Sequence, residues 1–385
     1  MRRPVLAVAL LALASAPLDA IPAFARRYRV PCMLCHDPVP RLTKFGEEFA
    51  ARGFRMTDRD TVGTTSLGDP LLRLQETFPL AVRFDAYVVA QGGTTVDTDF
   101  RTPTVVKLFS GGPISDDVSY YFYLLLAEDG LTGPIEDAWV MFRRPLGIPA
   151  DVTIGQFQIA DPVWKRELRI SLENYQILSQ RVGAGAASLS YDRGIFVTAS
   201  PTAGMSLTAE LVNGNGIDEA VGGTWDGDSP KTGSVWLTQQ LGPARLGLMA
   251  YYGNQRFLPT GAPNTRTNRT RMIGPAAAVS HGRWDVAGQF VWRDDTNPDF
   301  FTLAQTVRTR GGFAEALWWP RGRGTRLLVT GLYNHITSDD PTADYETATL
   351  NISWLYARNM RLAAEGTWDF LFDEPRVALG LVTAF

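Results

Sequence analysis

The stretch from Pro31 to His36 contains the residues best suited to chemistry. Cys32, Cys35 and His36 form Cys-x-x-Cys-His, the attachment signature of a c-type haem. The two thiols can add to the two haem vinyl groups, and the histidine is then placed to ligate the iron from one face. These are the only two cysteines in the chain, so they belong to no larger disulfide or zinc framework. A thioredoxin-like redox pair or a simple disulfide is the alternative, although no βαβ pattern surrounds the motif.

The first 20 residues are predicted to be a secretory signal peptide. Arg2 and Arg3 precede an apolar run over residues 5–14, and small residues follow. The run is too short to span a bilayer. Cleavage after Ala20 is the favoured interpretation, and cleavage after Ala25 is the alternative. Export agrees with the haem motif, because haem is attached to such motifs outside the bacterial cytoplasm.

Residues 21–77 are the next predicted unit, a small α-helical monohaem cytochrome c segment. Between Arg41 and Phe54 apolar residues recur at helical spacing, with Pro40 at the entrance and Gly53 near the exit. We expect a short amphipathic helix that covers one face of the haem; the alternative is a helix that packs on protein only. The segment is too small to form a sizeable hydrophobic core by itself, so we expect it to pack against its haem and against the next domain.

The second axial ligand of the iron is predicted to be Met56, which follows His36 by 20 residues. His/Met ligation raises the reduction potential of a haem, as an acceptor of electrons from ferrous iron requires. Met33 lies inside the attachment loop and cannot easily reach the far face. His281 is the rival if the haem lies at the lower mouth of the following domain, and an open position is the third alternative.

Residues 78–385 contain many segments of about ten residues in which apolar and polar side chains alternate. In the run from Arg283 to Arg293, Trp284 and Trp292 fall on the apolar face. A period of two with one apolar and one charged face predicts a sheet between two different media. Sixteen such strands are predicted to begin near residues 79, 101, 117, 134, 150, 190, 205, 231, 244, 271, 283, 309, 324, 345, 359 and 375.

The connections alternate between tight turns and long loops rich in Gly, Pro, Asn and Asp. An even number of strands with this alternation predicts an all-β fold, an antiparallel outer-membrane β-barrel whose termini both lie on the periplasmic side. A large soluble β-sandwich or propeller is the alternative. The longest loop, from Asp161 to about Ser188, is expected either to fold inward and narrow the lumen or to remain an ordinary surface loop. Seven charged residues are expected to keep the lumen wet: Arg83, Asp85, Arg283, Asp285, Arg293, Arg361 and Glu365.

The order of these motifs resembles the fused monohaem cytochrome–porin family of bacterial outer membranes. The resemblance is carried by Ile-Pro-Ala-Phe-Ala-Arg at 21–26, Cys-Met-Leu-Cys-His at 32–36 and Leu-Thr-Lys-Phe-Gly at 42–46, joined directly to a barrel. Its best-known members oxidise extracellular ferrous iron. The resemblance implies haem attachment at Cys32 and Cys35 and axial ligation at His36.

The expected function is therefore one-electron transfer across the outer membrane through one covalent haem c. Extracellular Fe(II), or another redox donor, would deliver the electron to a periplasmic c-type cytochrome, which is an Fe(II):cytochrome c oxidoreductase activity. One haem alone cannot cross a hydrocarbon layer of about 30 Å, but a barrel that holds it in the lumen solves this. A diffusion porin with a haem-bearing plug and outward electron transfer to an external acceptor are the alternatives.

Composition excludes other classes. The formal net charge of −3 gives no case for nucleic-acid binding. With only three histidines in the chain, no Ser/His/Asp site can be assembled credibly. The remaining expected partner is the lipid of the outer membrane.

Overall fold

The computed structural model describes residues 23–56, 78–93, 98–159, 166–218, 223–258 and 263–385. The predicted signal peptide lies outside the described residues, as do residues 57–77 of the predicted monohaem segment and the start of the longest loop, 160–165.

Sixteen antiparallel strands form one closed barrel, which confirms the predicted barrel and its strand number. Each strand pairs with its neighbours in sequence, and β1 pairs with β16 to close the ring. The observed strand starts lie within five residues of the predicted ones. The strands are β1 (Leu80–Gln91), β2 (Thr98–Pro113), β3 (Val118–Glu128), β4 (Ile135–Phe142), β5 (Ala150–Gln158), β6 (Tyr191–Ala199), β7 (Met205–Val212), β8 (Thr232–Leu241), β9 (Ala244–Phe257), β10 (Arg266–His281), β11 (Trp284–Asp295), β12 (Val307–Trp318), β13 (Leu327–Ser338), β14 (Tyr345–Ala357), β15 (Met360–Asp369) and β16 (Glu374–Ala384).

The described helices are short: α1 (Ala23–Tyr28), α2 (Cys32–Cys35), α3 (Lys44–Ala51) and α4 (Gln176–Ser179). None of these helices is long and apolar enough to cross a membrane. The first three make up much of the described N-terminal segment, residues 23–56, and the fourth lies in the connection between β5 and β6.

Period-two alternation places apolar side chains on the outside of the barrel. On β11, Trp284 and Trp292 are exposed outward, whereas Gln289 and Arg293, at odd-numbered positions of the same strand, are buried toward the lumen. Trp284 stacks on Trp318, with 5.6 Å between ring centroids, where β11 begins and β12 ends. An exposed apolar surface edged by aromatic rings is the exterior of a barrel that faces hydrocarbon.

The two rims of the barrel differ in their connections. We call one the short-turn rim; its connections are 114–117, 143–149, 200–204, 242–243, 282–283, 319–326 and 358–359. The other, the long-loop rim, includes the connections between β5 and β6 and between β7 and β8. Because the strand number is even, β1 begins and β16 ends at the short-turn rim. This arrangement is the predicted one.

The described part of the longest connection, residues 166–190, folds into the lumen, and we call it the inner loop. Arg361 of β15 donates from Nη1 to the carbonyl oxygen of Ile170 at 2.7 Å. The carboxylate of Glu365 accepts from the backbone N–H groups of Leu172, at 2.7 Å, and Glu173, at 3.0 Å. Wall charges therefore satisfy backbone groups that a loop inside a barrel would otherwise leave unpaired. The prediction of an inward-folding loop is confirmed.

An apolar core surrounds the inner loop. It is built of loop side chains and inward-facing residues of the wall: Phe157, Ile159, Tyr175, Ile177, Leu178, Ala187, Leu189, Val212, Trp236, Met249, Tyr251, Met272, Ala276, Ala287, Val291, Phe313, Leu332 and Ile336. The wall residues come from strands between β5 and β13. The lumen at this level is thus packed like a protein interior.

The expected wet, charged lumen therefore needs correction. Asp85, Arg293, Arg361 and Glu365 do face inward, but all four are buried. Arg293, for example, forms an ion pair with Asp295 and donates to the carbonyl oxygens of Gln180 and Ala187. Arg283 is not in the lumen; it lies exposed in the turn between β10 and β11. Burying a charge is costly unless it is paired, so these inward charges hold the loop to the wall.

Candidate functional site

One short helical turn brings the predicted haem ligands together. Cys32 and Cys35 begin and end α2, and the backbone N–H of His36 donates to the carbonyl oxygen of Cys32 at 2.9 Å. Both thiols are free and only partly buried. The structure therefore has no disulfide at this turn, and it gathers two thiols and one imidazole within five consecutive residues.

The ring of His36 is oriented by a neighbouring carbonyl. Its Nδ1 lies 3.1 Å from the carbonyl oxygen of Pro40. A carbonyl oxygen only accepts, so this contact assigns the proton to Nδ1 and leaves the lone pair on Nε2. Burial lowers the pKa of His36, which favours the neutral ring. A metal-ligating histidine has one ring nitrogen held in this way by a carbonyl, and it binds the metal through the other nitrogen.

Helix α3 packs directly on the backbone of this turn. Thr43 caps α3 by accepting from the N–H of Gly46 at 3.1 Å, while its hydroxyl donates to the carbonyl oxygen of Leu34 at 2.6 Å. The N–H of Thr43 also donates to the carbonyl oxygen of Cys35 at 2.9 Å. The predicted amphipathic helix is therefore present, but it begins at Lys44, because the cap is Thr43 rather than Pro40.

Gly46 allows the close approach of α3 to α2. A Cβ atom at this position would lie 2.2 Å from the carbonyl oxygen of Cys35, which is backbone and cannot rotate away. We expect Gly46→Ala to destabilise the packing of α3 by about 1–3 kcal/mol, the usual cost of overpacking. A several-fold lower ratio of c-type absorbance to protein would report this.

The matched control is Gly331→Ala on β13, where an added Cβ meets no atom within 4 Å. It should leave both the absorbance ratio and the melting temperature unchanged. Equal absorbance ratios and equal protease resistance of the N-terminal segment in the two variants would contradict the assigned role of Gly46.

The surroundings of the two thiols suit a porphyrin. Met33 is 41% exposed and Phe45 is 38% exposed, so apolar side chains stand uncovered beside the thiol turn. A flat apolar macrocycle would bury such surface. Burial raises the pKa of the Cys35 thiol to about 11, which keeps it protonated. Two free thiols, an oriented imidazole and uncovered apolar neighbours thus fit a covalent haem.

Met56 lies at the end of the first described stretch. Next to it, the Phe54 ring stacks on Tyr121 with centroids 4.9 Å apart, and Arg55 donates to the carbonyl oxygen of Ser115 at 2.9 Å. These contacts place Met56 near the turn between β2 and β3. The residues around His36 instead contact the turn between β12 and β13, as the 3.7 Å ion pair between Asp37 and Arg323 shows. Ligation by Met56 remains a prediction.

The rival ligand His281 is turned away from the lumen. It is the last residue of β10, and the pairing of β10 with β9 runs without a bulge to Val279. Val279 is 43% exposed on the outer face, and His281 is two residues further along, so it shares that face. His335 is also exposed; its ring stacks on Tyr333 and lies 3.7 Å from the carboxylate of Glu346.

A buried triad joins the N-terminal segment, the inner loop and the wall. Arg41 donates to the Glu315 carboxylate of β12 at 2.7 Å and to the Tyr175 hydroxyl at 3.2 Å. That hydroxyl donates in turn to the other oxygen of Glu315 at 2.9 Å. Tyr175 also stacks on Phe313, with centroids 4.3 Å apart. The three polar side chains close a ring of hydrogen bonds away from solvent, and sequence reasoning did not find them.

Other contacts attach the segment to the rest of the short-turn rim. Glu47 accepts two hydrogen bonds from Arg245 of β9, at 2.9 and 3.1 Å. Arg26 donates to the carbonyl oxygen of Leu80 at the start of β1. Together with Arg41 and Arg55, these contacts tie the segment to strands on several sides of the barrel. The segment therefore sits in the lumen at the short-turn end.

Nothing in the described ranges forms a separate protein-only metal site. No three His, Cys, Asp or Glu side chains come close enough there to hold an ion. Several inward carboxylates are instead engaged with other side chains or with backbone groups: Glu315 pairs with Arg41, Glu136 pairs with Lys107, and Glu365 accepts from backbone N–H groups of the inner loop.

Comparison with known proteins shows the fold. No family model and no curated protein matches the chain. The anion-selective porin of Comamonas acidovorans aligns with a TM-score of 0.57 at 12% identity, over 80% of this chain and 99% of that chain. OmpT of Vibrio cholerae aligns with a TM-score of 0.57 at 8% identity, over 80% of this chain and 97% of that chain. OmpF of Salmonella typhi in complex with daunomycin aligns with a TM-score of 0.55 at 11% identity, over 80% of this chain and 97% of that chain. The chain therefore shares the barrel fold of porins.

Proposed function

We propose that this protein lies in the bacterial outer membrane, carries one covalent haem c on Cys32 and Cys35 with His36 as axial ligand, and transfers single electrons across that membrane. The observation that carries the proposal is that the Cys-x-x-Cys-His turn belongs to a segment fastened inside a barrel by the Arg41–Glu315 pair, with both side chains at most 1% exposed. When bound, the haem supplies one-electron redox chemistry. The resemblance to cytochrome–porin fusions favours extracellular Fe(II) as donor and a periplasmic c-type cytochrome as acceptor.

The residues of the chain would position the redox site. The Pro40 carbonyl orients His36, and Thr43 with Gly46 holds the thiol turn against α3. The described part of the inner loop and its apolar core occupy part of the lumen above the segment. Electron transfer needs no open water path, so a lumen narrowed in this way supports this function over free diffusion of solutes.

A diffusion porin with a haem-bearing plug is the second candidate. The porin fold of the similar solved structures fits this candidate better than it fits electron transfer, since their names describe porins and outer-membrane proteins. In that function the N-terminal segment would act as a plug. Outward electron transfer to an external acceptor would use the same site with the opposite flow.

Two measurements on protein purified from outer membranes separate the candidates. We expect a covalent c-type band that sharpens when ferrous iron is added anaerobically, and little conductance in planar bilayers. A wide, stable pore together with a haem that ferrous iron leaves oxidised would support the plugged porin instead. Reduction by dithionite but not by iron, in a closed barrel, would point to another donor or to outward flow.

A further inference from the structure

Five arginines gather on three neighbouring turns of the short-turn rim, and we call them the arginine patch: Arg283, Arg321, Arg323, Arg326 and Arg358. They lie in the β10–β11, β12–β13 and β14–β15 turns. These turns are adjacent because β10 to β15 pair in order around the barrel.

Hydrogen bonds between the turns hold the patch together. Arg283 donates to the carbonyl oxygen of Pro320 at 2.9 Å, and Arg358 donates to that of Gly324 at 2.7 Å. Arg323 donates to the carbonyl oxygen of Gly282 at 2.7 Å. Arginine has five N–H donors, so the carbonyl contact of Arg283 and that of Arg358 leave most of each guanidinium available to a partner. Arg323 is different, because Asp37 and Asp285 already engage its guanidinium. All five residues are exposed.

The patch borders the predicted haem turn. Arg323 pairs with Asp37, the residue after His36, at 3.7 Å. A Cβ atom on Gly324 would lie 2.8 Å from Cε of Met33, which separates the two cysteines. The guanidinium of Arg323 also lies 4.3 Å from the ring centroid of Trp319, which is 1% exposed. The patch therefore edges the mouth of the lumen where the thiol turn sits.

Positive charge predominates in the patch. Asp37 and Asp285 are paired there, both with Arg323. Arg321 and Arg326 carry exposed charge on either side of that residue. An excess of guanidinium groups around a site attracts an acidic protein and speeds its encounter.

We propose that the arginine patch docks an acidic, soluble electron-transfer protein against the short-turn mouth of the barrel. The proposal rests on the proposed function and specifies the charge of the partner. Anionic lipid is the other chemistry that could meet arginines at a rim. The contacts of the patch with Asp37 and Met33 favour a protein partner over lipid, because they place the patch at the mouth of the lumen rather than on the lipid-facing wall.

The test uses full-length protein in nanodiscs of neutral phosphatidylcholine. The probes are an acidic soluble c-type cytochrome and a basic one of similar size, with binding followed by surface plasmon resonance at low and high salt. Arg321→Glu together with Arg326→Glu should lower the association rate of the acidic probe at low salt by about tenfold. The difference should vanish at high salt, where exposed charges are screened.

The matched control reverses two exposed arginines at the long-loop end of β12, Arg308→Glu and Arg310→Glu. It should leave the association rate of the acidic probe unchanged. Equal rates for both double variants, or stronger binding of the basic probe to the parent protein, would overturn the proposal. An effect that appears only in nanodiscs of anionic phosphatidylglycerol would also overturn it and assign the patch to lipid.

A haem-free variant separates this proposal from the proposed function. Cys32→Ser with Cys35→Ser should still bind the acidic probe with the parental salt dependence, because the patch contains neither cysteine. If the parent protein bound the acidic probe but transferred no electron to or from it, the result would contradict the proposed function and would still support the docking surface. Loss of probe binding in this variant, with the barrel intact, would overturn the docking surface.

Discussion

Replacing Cys32 and Cys35 together with serine is expected to abolish the covalent c-type absorbance and to leave the barrel folded. Serine cannot form the thioether bonds, and neither cysteine belongs to the sixteen-strand wall. Haem-dependent peroxidase staining after denaturing electrophoresis measures the covalent haem, and the heat-modified gel mobility of the barrel measures its fold.

The control for this experiment is Met33→Leu, which changes the apolar residue between the thiols and keeps its volume. It should retain covalent haem at the parental ratio. A double serine variant that still stained for haem after denaturation would contradict the assignment, and so would a parent protein without stain in cells competent for haem attachment.

Glu315→Gln is expected to have the largest effect on how the N-terminal segment is held. The substitution keeps the shape of the side chain but leaves the Arg41 guanidinium buried without its counter-charge; the side chains of this pair are 1% and 0% exposed. Breaking a buried ion pair in this way costs about 3–5 kcal/mol. We expect a lower free energy of unfolding, cleavage by trypsin within residues 23–56, and transient conductance steps in bilayers.

The matched control is Glu47→Gln, which breaks a pair of the same type that is partly exposed, at 22% and 29%. Exposed pairs contribute up to about 1 kcal/mol, so this variant should behave almost like the parent protein. A second variant, Arg41→Leu with Glu315→Leu, removes both charges and should recover much of the lost stability. Equal protease resistance in Glu315→Gln and Glu47→Gln would show that the buried triad does not hold the segment.

The barrel itself was predictable because its signal is local. In each strand apolar and polar side chains alternate with a period of two residues, and residues typical of turns separate the strands. The inward and outward faces of β11 and β15 could therefore be assigned from their own residues. The thiol turn was predictable for the same reason, since Cys32, Cys35 and His36 lie within five consecutive residues. Their proximity needed no knowledge of the rest of the fold, and haem attachment at them stays a prediction.

The contacts that fill the lumen were not predictable, because they join distant parts of the chain. Arg41 meets Glu315 across 274 positions, and Glu365 meets the backbone of Glu173 across 192. Alternation tells which face of a strand is lipid-facing but not what packs against the other face. Val291 and Leu317 face the lumen and are 1% and 0% exposed. Valine and leucine therefore occur both on the lipid-facing surface and in the core inside the barrel, and residue type alone does not distinguish the two.

The closing seam of the barrel has a consequence for how the protein is made. The backbone of Phe385 exchanges two hydrogen bonds with that of Val82, at 2.7 and 2.9 Å, where the last strand meets the first. Once this seam forms, the wall around the N-terminal segment is a closed ring, and the segment is joined to that wall through Arg41, Glu47 and Arg26. Under the proposed function, haem attachment before closure acts on a segment that still lacks these contacts, whereas attachment afterwards acts on one that has them. The order of haem attachment and barrel closure is therefore a step of biogenesis that pulse labelling of the haem-stained and heat-modifiable forms can resolve.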